Sequence, residues 1–137
     1  MKFDTTYRVS YGDTDQMGVV YYANYLELFE RGRTEMLRSA GLTYRDFEAA
    51  GYFLPVHEAH CRYHKSAHYD DLLTIRSSVS EMRGVRFTIH SEVLRDGELL
   101  AEGYVTLACV DAVNRKLVKL PEMLTSRCRQ FMTTEEP

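Results

Sequence analysis

Phe3, Thr5, Tyr7, Val9 and Tyr11 alternate with Asp4, Thr6, Arg8 and Ser10, and this period of two predicts a strand with one buried face. The alternation breaks over Gly12 to Gly18, a polar and acidic loop. From about Tyr22 the period lengthens: Tyr22, Tyr25, Leu26, Phe29, Met36, Leu37 and Ala40 gather into one stripe of a long helix. Glu27, Glu30, Arg31, Glu35 and Arg38 fall opposite, with Glu27 placed to pair with Arg31 one turn on. Asn24 with Glu27 offers a capping box, and Gly41 a stop. Gly32 costs about 1 kcal/mol relative to Ala in mid-helix, which predicts a close approach to a sheet.

A weaker helix is predicted from Tyr44 to Ala50, ended by Gly51, and most of the remaining chain reads as strand. Phe53 to Tyr63 and Leu72 to Met82 are extended segments, the latter with Leu73, Ile75 and Val79 on one face. Val85, Phe87, Ile89, Ser91 and Val93 alternate with Arg86, Thr88, His90 and Glu92. Asp96-Gly97 then signals a tight hairpin, with Leu99 to Asp111 as the returning strand. Pro121 suits a first helical position, and Leu124, Cys128 and Phe131 form the face of a short last helix. One long amphipathic helix and a run of antiparallel strands define an α+β class. A sheet with exposed edges and one helix to cover it favours pairing with a second copy.

Composition narrows the function. The length of 137 residues and 45% hydrophobic content suit one core, read as a single domain over 1–131 with a flexible tail over 132–137. No apolar run approaches the roughly 18–20 residues of a spanning helix, and MKFDTTYRVS carries no apolar signal core, so the expected location is cytoplasmic. A net charge of −3 argues against nucleic acid as a partner. Cys61, Cys109 and Cys128 are odd in number and widely spaced, the pattern of reduced thiols rather than of disulfides or a zinc cage.

The chemistry concentrates between Tyr11 and Tyr25, where Asp13 and Asp15 lie in a short loop leading into the long helix. Helix N-termini expose unpaired N–H groups and partial positive charge. A carboxylate beside one can attack a carbonyl or activate water while the N–H groups polarise the carbonyl oxygen. On local sequence alone, capping and turn formation explain such acids equally simply.

The motif as a whole resembles the signature of hotdog-fold thioesterases of the 4-hydroxybenzoyl-CoA type, and within them the acyl-CoA thioesterases associated with the bacterial Tol–Pal system. The matching residues are Asp13-Thr14-Asp15, Gly18-Val19-Val20-Tyr21-Tyr22, Asn24-Tyr25, Phe29-Glu30-Arg31 and Arg33-Thr34-Glu35-Met36-Leu37-Arg38. Tyr69-Asp70-Asp71 and Met82-Arg83-Gly84 come next in order, so the likeness spans about residues 4–131. It implies a five-stranded antiparallel sheet wrapped around a long central helix, with two subunits joining their sheets. A homodimer or a dimer of dimers is expected.

The resemblance also implies roles. Asp15 matches the catalytic aspartate, the Tyr22 backbone N–H the group that polarises the thioester carbonyl, and Gly18 the glycine that lets the loop pass close to the reacting group. Ser66 and Arg83 match positions along the pantetheine and nucleotide of CoA, with Lys65 and Arg86 as neighbours for its phosphates. Asp13 is expected to be structural, and the site residues need not all come from one chain.

A thioester suits so small a site, because its thiolate leaves readily, with a thiol pKa of about 8.5. No general acid is then required. The expected substrate is an acyl-CoA, with an acyl-carrier protein as another donor; no cofactor is expected, and the acyl group stays open. Two other functions fit the fold: a non-catalytic acyl-CoA or acyl-carrier-protein binding module, and a hydratase, which would lean on a His absent from the first 56 residues. His57, His60, His64 and His68 with Cys61 suggest a metal cluster only if helical, and strand parity sends His60 and Cys61 to opposite faces.

Overall fold

The computed structural model describes residues 1–133. The alternating start forms strand β1 (Phe3–Arg8), whose side chains are half-buried and exposed in turn. It pairs antiparallel with β4 (Leu72–Arg83), which pairs with β5 (Arg86–Arg95), β6 (Glu98–Ala108) and, at the far edge, β3 (Val56–Tyr63). The sheet order is β1-β4-β5-β6-β3. The β5–β6 hairpin turns at Asp96 and Gly97, with φ of 52° and 81°, the positive values that this dipeptide predicts. Beyond the start of β1, where Phe3 faces Ser77, Met132 and Thr133 take over the β4 edge, the Thr133 N–H donating to the Val79 carbonyl at 3.2 Å. Residues 134–137 of the expected tail lie outside the described residues.

Helix α1 (Asn24–Ser39) lies across one face of this sheet, burying Tyr25, Leu28, Phe29, Gly32, Met36 and Leu37 against strands that contribute Leu73, Ile75, Val79, Phe87, Ile89 and Val93. Gly32 explains how closely it lies. A Cβ there would stand 2.6 Å from both Ile75 Cγ2 and Ser77 Oγ, so only glycine admits the approach. The helix stops as expected at Gly41 (φ 82°), where the Gly41 and Leu42 N–H groups return to the Arg38 and Leu37 carbonyls.

Several expectations need correction. The stripe was expected to include Tyr22 and Leu26, yet they are 61% and 38% exposed, and Leu28 takes the buried place. The helix starts only at Asn24, so Tyr22 precedes the helical register. Ala23 is the N-cap, and Asn24 forms no capping box because its Nδ2 donates to the Asp13 carbonyl at 3.0 Å. Phe53 to Tyr63 is not one strand: Pro55 separates β2 (Tyr52–Phe53) from β3. Leu99 to Asp111 likewise divides into β6 and β7 (Val110–Asp111), and β7 pairs with β2 outside the main sheet. Helix α2 (Tyr44–Ala49) forms as expected, with Thr43 accepting from the Asp46 N–H at its start. Pro121 is the N-cap of α3 (Glu122–Cys128) rather than its first residue.

Candidate active site

Asp13 is the anchor of the acidic loop. Its Oδ2 accepts the Tyr7 hydroxyl at 2.7 Å, the Ser10 N–H at 2.9 Å and the Ser10 hydroxyl at 3.1 Å. Its carbonyl accepts the Tyr21 N–H at 2.9 Å as well as the Asn24 amide, which clamps the loop to the start of α1. Burial works to raise its pKa, but the Ser10 and Tyr7 donors and the Arg31 charge outweigh that and hold it below the usual carboxylate range. Asp13 is therefore ionised, and its Oδ2 gathers three internal donors that hold the loop, in keeping with a structural part.

Asp15 is placed differently. Thr14 and Val20 bridge across a tight hairpin, and the Asp15 N–H donates to the Val19 carbonyl at 3.0 Å. Gly18, with φ 81°, closes that turn by donating to the Asp15 carbonyl at 2.9 Å. A side chain there would be strained. The half-buried Asp15 carboxylate accepts one bond, from the Met17 N–H to Oδ1 at 2.8 Å. Among the described residues its Oδ2 has no hydrogen-bond partner. Three residues beyond Val19, the Tyr22 N–H is also without a partner among the described residues, one of the orphan donors of a helix start. One hairpin thus carries a carboxylate oxygen and leads directly into a main-chain N–H, both available to a ligand.

Ser66 and Lys65 belong to this end of the molecule. The Val20 N–H donates to the Ala67 carbonyl at 2.8 Å and Val19 bridges His68, so residues 66–68 run beside the acidic hairpin. Arg95 secures that segment, donating to the Ser66 carbonyl at 3.2 Å and pairing with Asp71 at 2.8 Å. Asp71 also accepts the His68 N–H at 2.8 Å, and these bonds outweigh burial to lower its pKa. Lys65 is ion-paired with Glu98.

Arg83 and Arg86 sit at the other end of the sheet. Leu72 to Arg83 is a continuous strand, which at about 3.3 Å per residue amounts to roughly 35 Å. One chain therefore does not bring Arg83 together with Asp15. Arg86 pairs with Glu81 at 3.3 Å, whereas Arg83 lines a cavity of about 530 Å³ with Lys119 and Arg129. Glu122 and Thr125 share that wall. Sequence reasoning missed Lys119 and Arg129, which stand far from Arg83 along the chain and carry no signal of their own. It also missed Arg95, whose role appears only once the loops are packed.

Outside this site, Cys61 turns toward the core while His60 stacks on Tyr104 across the opposite face. His64 Nε2 instead meets Glu102 Oε2 at 2.9 Å. Among the described residues, no group of three or more His, Cys, Asp or Glu side chains is placed to hold a metal ion.

A five-stranded antiparallel sheet wrapped on one long helix, with an acidic hairpin feeding the helix start, is the architecture of the hotdog fold. The sequence profile of the thioesterase-like superfamily matches residues 9–128, and the chain belongs to that superfamily. It is 37% identical over 121 residues to the acyl-CoA thioesterase YbgC of Haemophilus influenzae, covering 88% of this chain and 89% of that protein. The acyl-CoA thioester hydrolase YbgC of Shigella flexneri is 34% identical over 124 residues, covering 90% and 92%. A crystal structure of a protein from Aquifex aeolicus superposes with a TM-score of 0.88 at 28% identity, over 92% of this chain and 98% of that one.

Proposed function

We propose that the protein is an acyl-CoA thioesterase in which Asp15 acts on the thioester carbonyl and the Tyr22 N–H receives the developing oxyanion. The observation that carries this reading is a hairpin that holds a carboxylate with an unpartnered oxygen and leads directly into an unpartnered N–H at a helix start. Gly18, at φ 81°, lets the intervening turn close without strain. The names of the Haemophilus and Shigella relatives point to the same substrate class. Attack by Asp15 would give a mixed anhydride and free CoA, then hydrolysis of the anhydride; general-base catalysis would deliver water in one step. Both use the same ionised oxygen, and the thiolate departs without a general acid.

The binding residues are proposed to act between subunits. Lys65 and Ser66 serve from the Asp15 end of its own chain, while Arg83, Arg86 and the cationic cavity come to the CoA phosphates from a second copy. Two features support this: the distance along β4, and the exposure of the β3 edge, which leaves unpaired main-chain groups for a partner strand. The assembly proposed on these grounds is a homodimer or a dimer of dimers. Among the described residues, no helix is long and apolar enough to cross a membrane. With three free thiols and an acyl-CoA substrate, the proposed location is the cytoplasm.

The test is incubation of the protein with acetyl-, butyryl-, octanoyl- and benzoyl-CoA and a thiol reagent. Release of CoA thiol on at least one supports hydrolysis. Tight binding without release would favour a binding module, and, with crotonyl-CoA supplied separately, loss of the enoyl absorbance without thiol release would favour a hydratase.

A further inference from the structure

The first turn of α1 is held from the sheet by a tyrosine that has no part in the proposed reaction. Tyr63 is the last residue of β3, and it shares the inward face of that strand with Cys61 two residues before it. Its hydroxyl donates to the Tyr22 carbonyl at 2.9 Å. Its ring stands edge-on to Tyr25, with centroids 5.2 Å apart at 83°, and to Tyr22, at 6.3 Å and 83°. Tyr25 is itself fixed, because its hydroxyl accepts the Ala67 N–H at 3.3 Å.

The consequence lies in the peptide planes on either side of the Tyr22 Cα. The carbonyl of the plane before it, on Tyr21, accepts the Asn24 N–H at 2.9 Å. The carbonyl of the plane after it, on Tyr22, accepts the Tyr25 N–H only at 3.3 Å, a long bond that leaves a lone pair for Tyr63. Without the phenol, that plane is tied only by a weak first-turn contact, and helix ends fray. A donor on the Tyr22 carbonyl also polarises its peptide unit, making the Ala23 N–H at the other end, the next donor of the helix start that is free among the described residues, a stronger one. Partial burial and the neighbouring Cys61 thiol push the Tyr63 phenol up to about 12, so the donor persists across the working pH range.

We propose that Tyr63 is a positioning residue for the oxyanion donors: its hydroxyl locks the Tyr22 carbonyl and so aims the N–H groups of the α1 start at the thioester oxygen. This rests on the proposed roles of Asp15 and Tyr22. Tyr63 touches no reacting atom. Its effect belongs to the transition state, where the oxygen carries most charge, and so to kcat rather than to KM.

Tyr63→Phe keeps the ring and removes only the hydroxyl. With whichever acyl-CoA of the four-member panel is turned over fastest, kcat should fall about tenfold with KM within twofold of wild type. The second measurement is the infrared carbonyl band of that acyl-CoA bound to Asp15→Asn protein. The band should lie below that of the free thioester, and adding Tyr63→Phe should move it back toward the free value. Unchanged kcat, or coincident bands with and without the hydroxyl, overturns the proposal. A parallel loss of kcat, KM and melting temperature also overturns it, since that is the signature of a merely structural tyrosine. The two levels separate cleanly. Wild-type turnover by Asp15→Asn would remove the reading of the site itself, whereas an inactive Asp15→Asn beside a fully active Tyr63→Phe removes only the role of Tyr63.

Discussion

The Tyr7 hydroxyl donates to the Asp13 carboxylate at 2.7 Å, and this one bond ties strand β1 to the hairpin that presents Asp15. Two acids two residues apart are thereby held differently: Asp13 gathers three internal donors on Oδ2, and Asp15 accepts one, from the Met17 N–H to Oδ1. Asp13→Ala removes the common acceptor of Tyr7 and Ser10 and should cost roughly 1–3 kcal/mol of stability. Because Asp13 and Asp71 both titrate below the usual carboxylate range in the folded protein, their contribution is complete above the unfolded pKa of about 3.9. It is lost as pH falls through the folded values. Urea midpoints measured from pH 7 down to pH 3 should therefore drop steeply below about pH 4, and less steeply in Asp13→Ala. An equal acid slope in the two proteins would show that Asp13 is not the coupled group.

Gly32 trades helix propensity for proximity to the sheet. Alanine would gain about 1 kcal/mol as a helix former. It would also drive a Cβ to 2.6 Å from Ile75 Cγ2 and Ser77 Oγ, inside a fully buried layer. Overpacking of that kind costs about 1–3 kcal/mol or more, so the clash wins. Gly32→Ala should lower the melting temperature, read by circular dichroism; an unchanged or higher value would mean that the helix can lift without penalty.

Arg83 differs from Lys65 and Arg86 in being uncommitted. Lys65 pairs with Glu98 and Arg86 with Glu81, so an incoming phosphate must compete with a carboxylate at each. Arg83 has no ion pair among the described residues and opens on the cationic cavity. Arg83→Ala should raise KM for acyl-CoA about tenfold at unchanged kcat, the value of one charge-assisted contact. Arg86→Ala should change it less. With a pantetheine thioester, which lacks the nucleotide, Arg83→Ala should match wild type. A loss of equal size on the short substrate would place Arg83 elsewhere in binding.

Much of this was legible in the chain. Period-two alternation marks β1 and β5, Asp96-Gly97 marks the β5–β6 hairpin, and a mid-helix Gly32 marks the closest helix–sheet contact. The helix stripe was less legible because its seam runs through Gly32 and the buried Arg33, which no hydrophobic count includes. Leu28 was therefore passed over for Tyr22 and Leu26. A structural part for Asp13 is expected from the sequence, but the contacts that give it one, from Tyr7 and Ser10, are made by folding. Tyr63 and Lys119 carry no motif at all. Their meaning comes from strand pairing and from packing at the two ends of β4, which sequence spacing does not encode.

The most direct test of the central claim is thiol release by Asp15→Asn, measured alongside its melting temperature. The exchange removes the negative charge while keeping an oxygen to accept the Met17 N–H, so the hairpin should persist. The expected result is a melting temperature within a few degrees of wild type and kcat reduced at least about a thousandfold, the scale of losing a central group. Turnover close to wild type in a correctly folded Asp15→Asn protein would contradict the account.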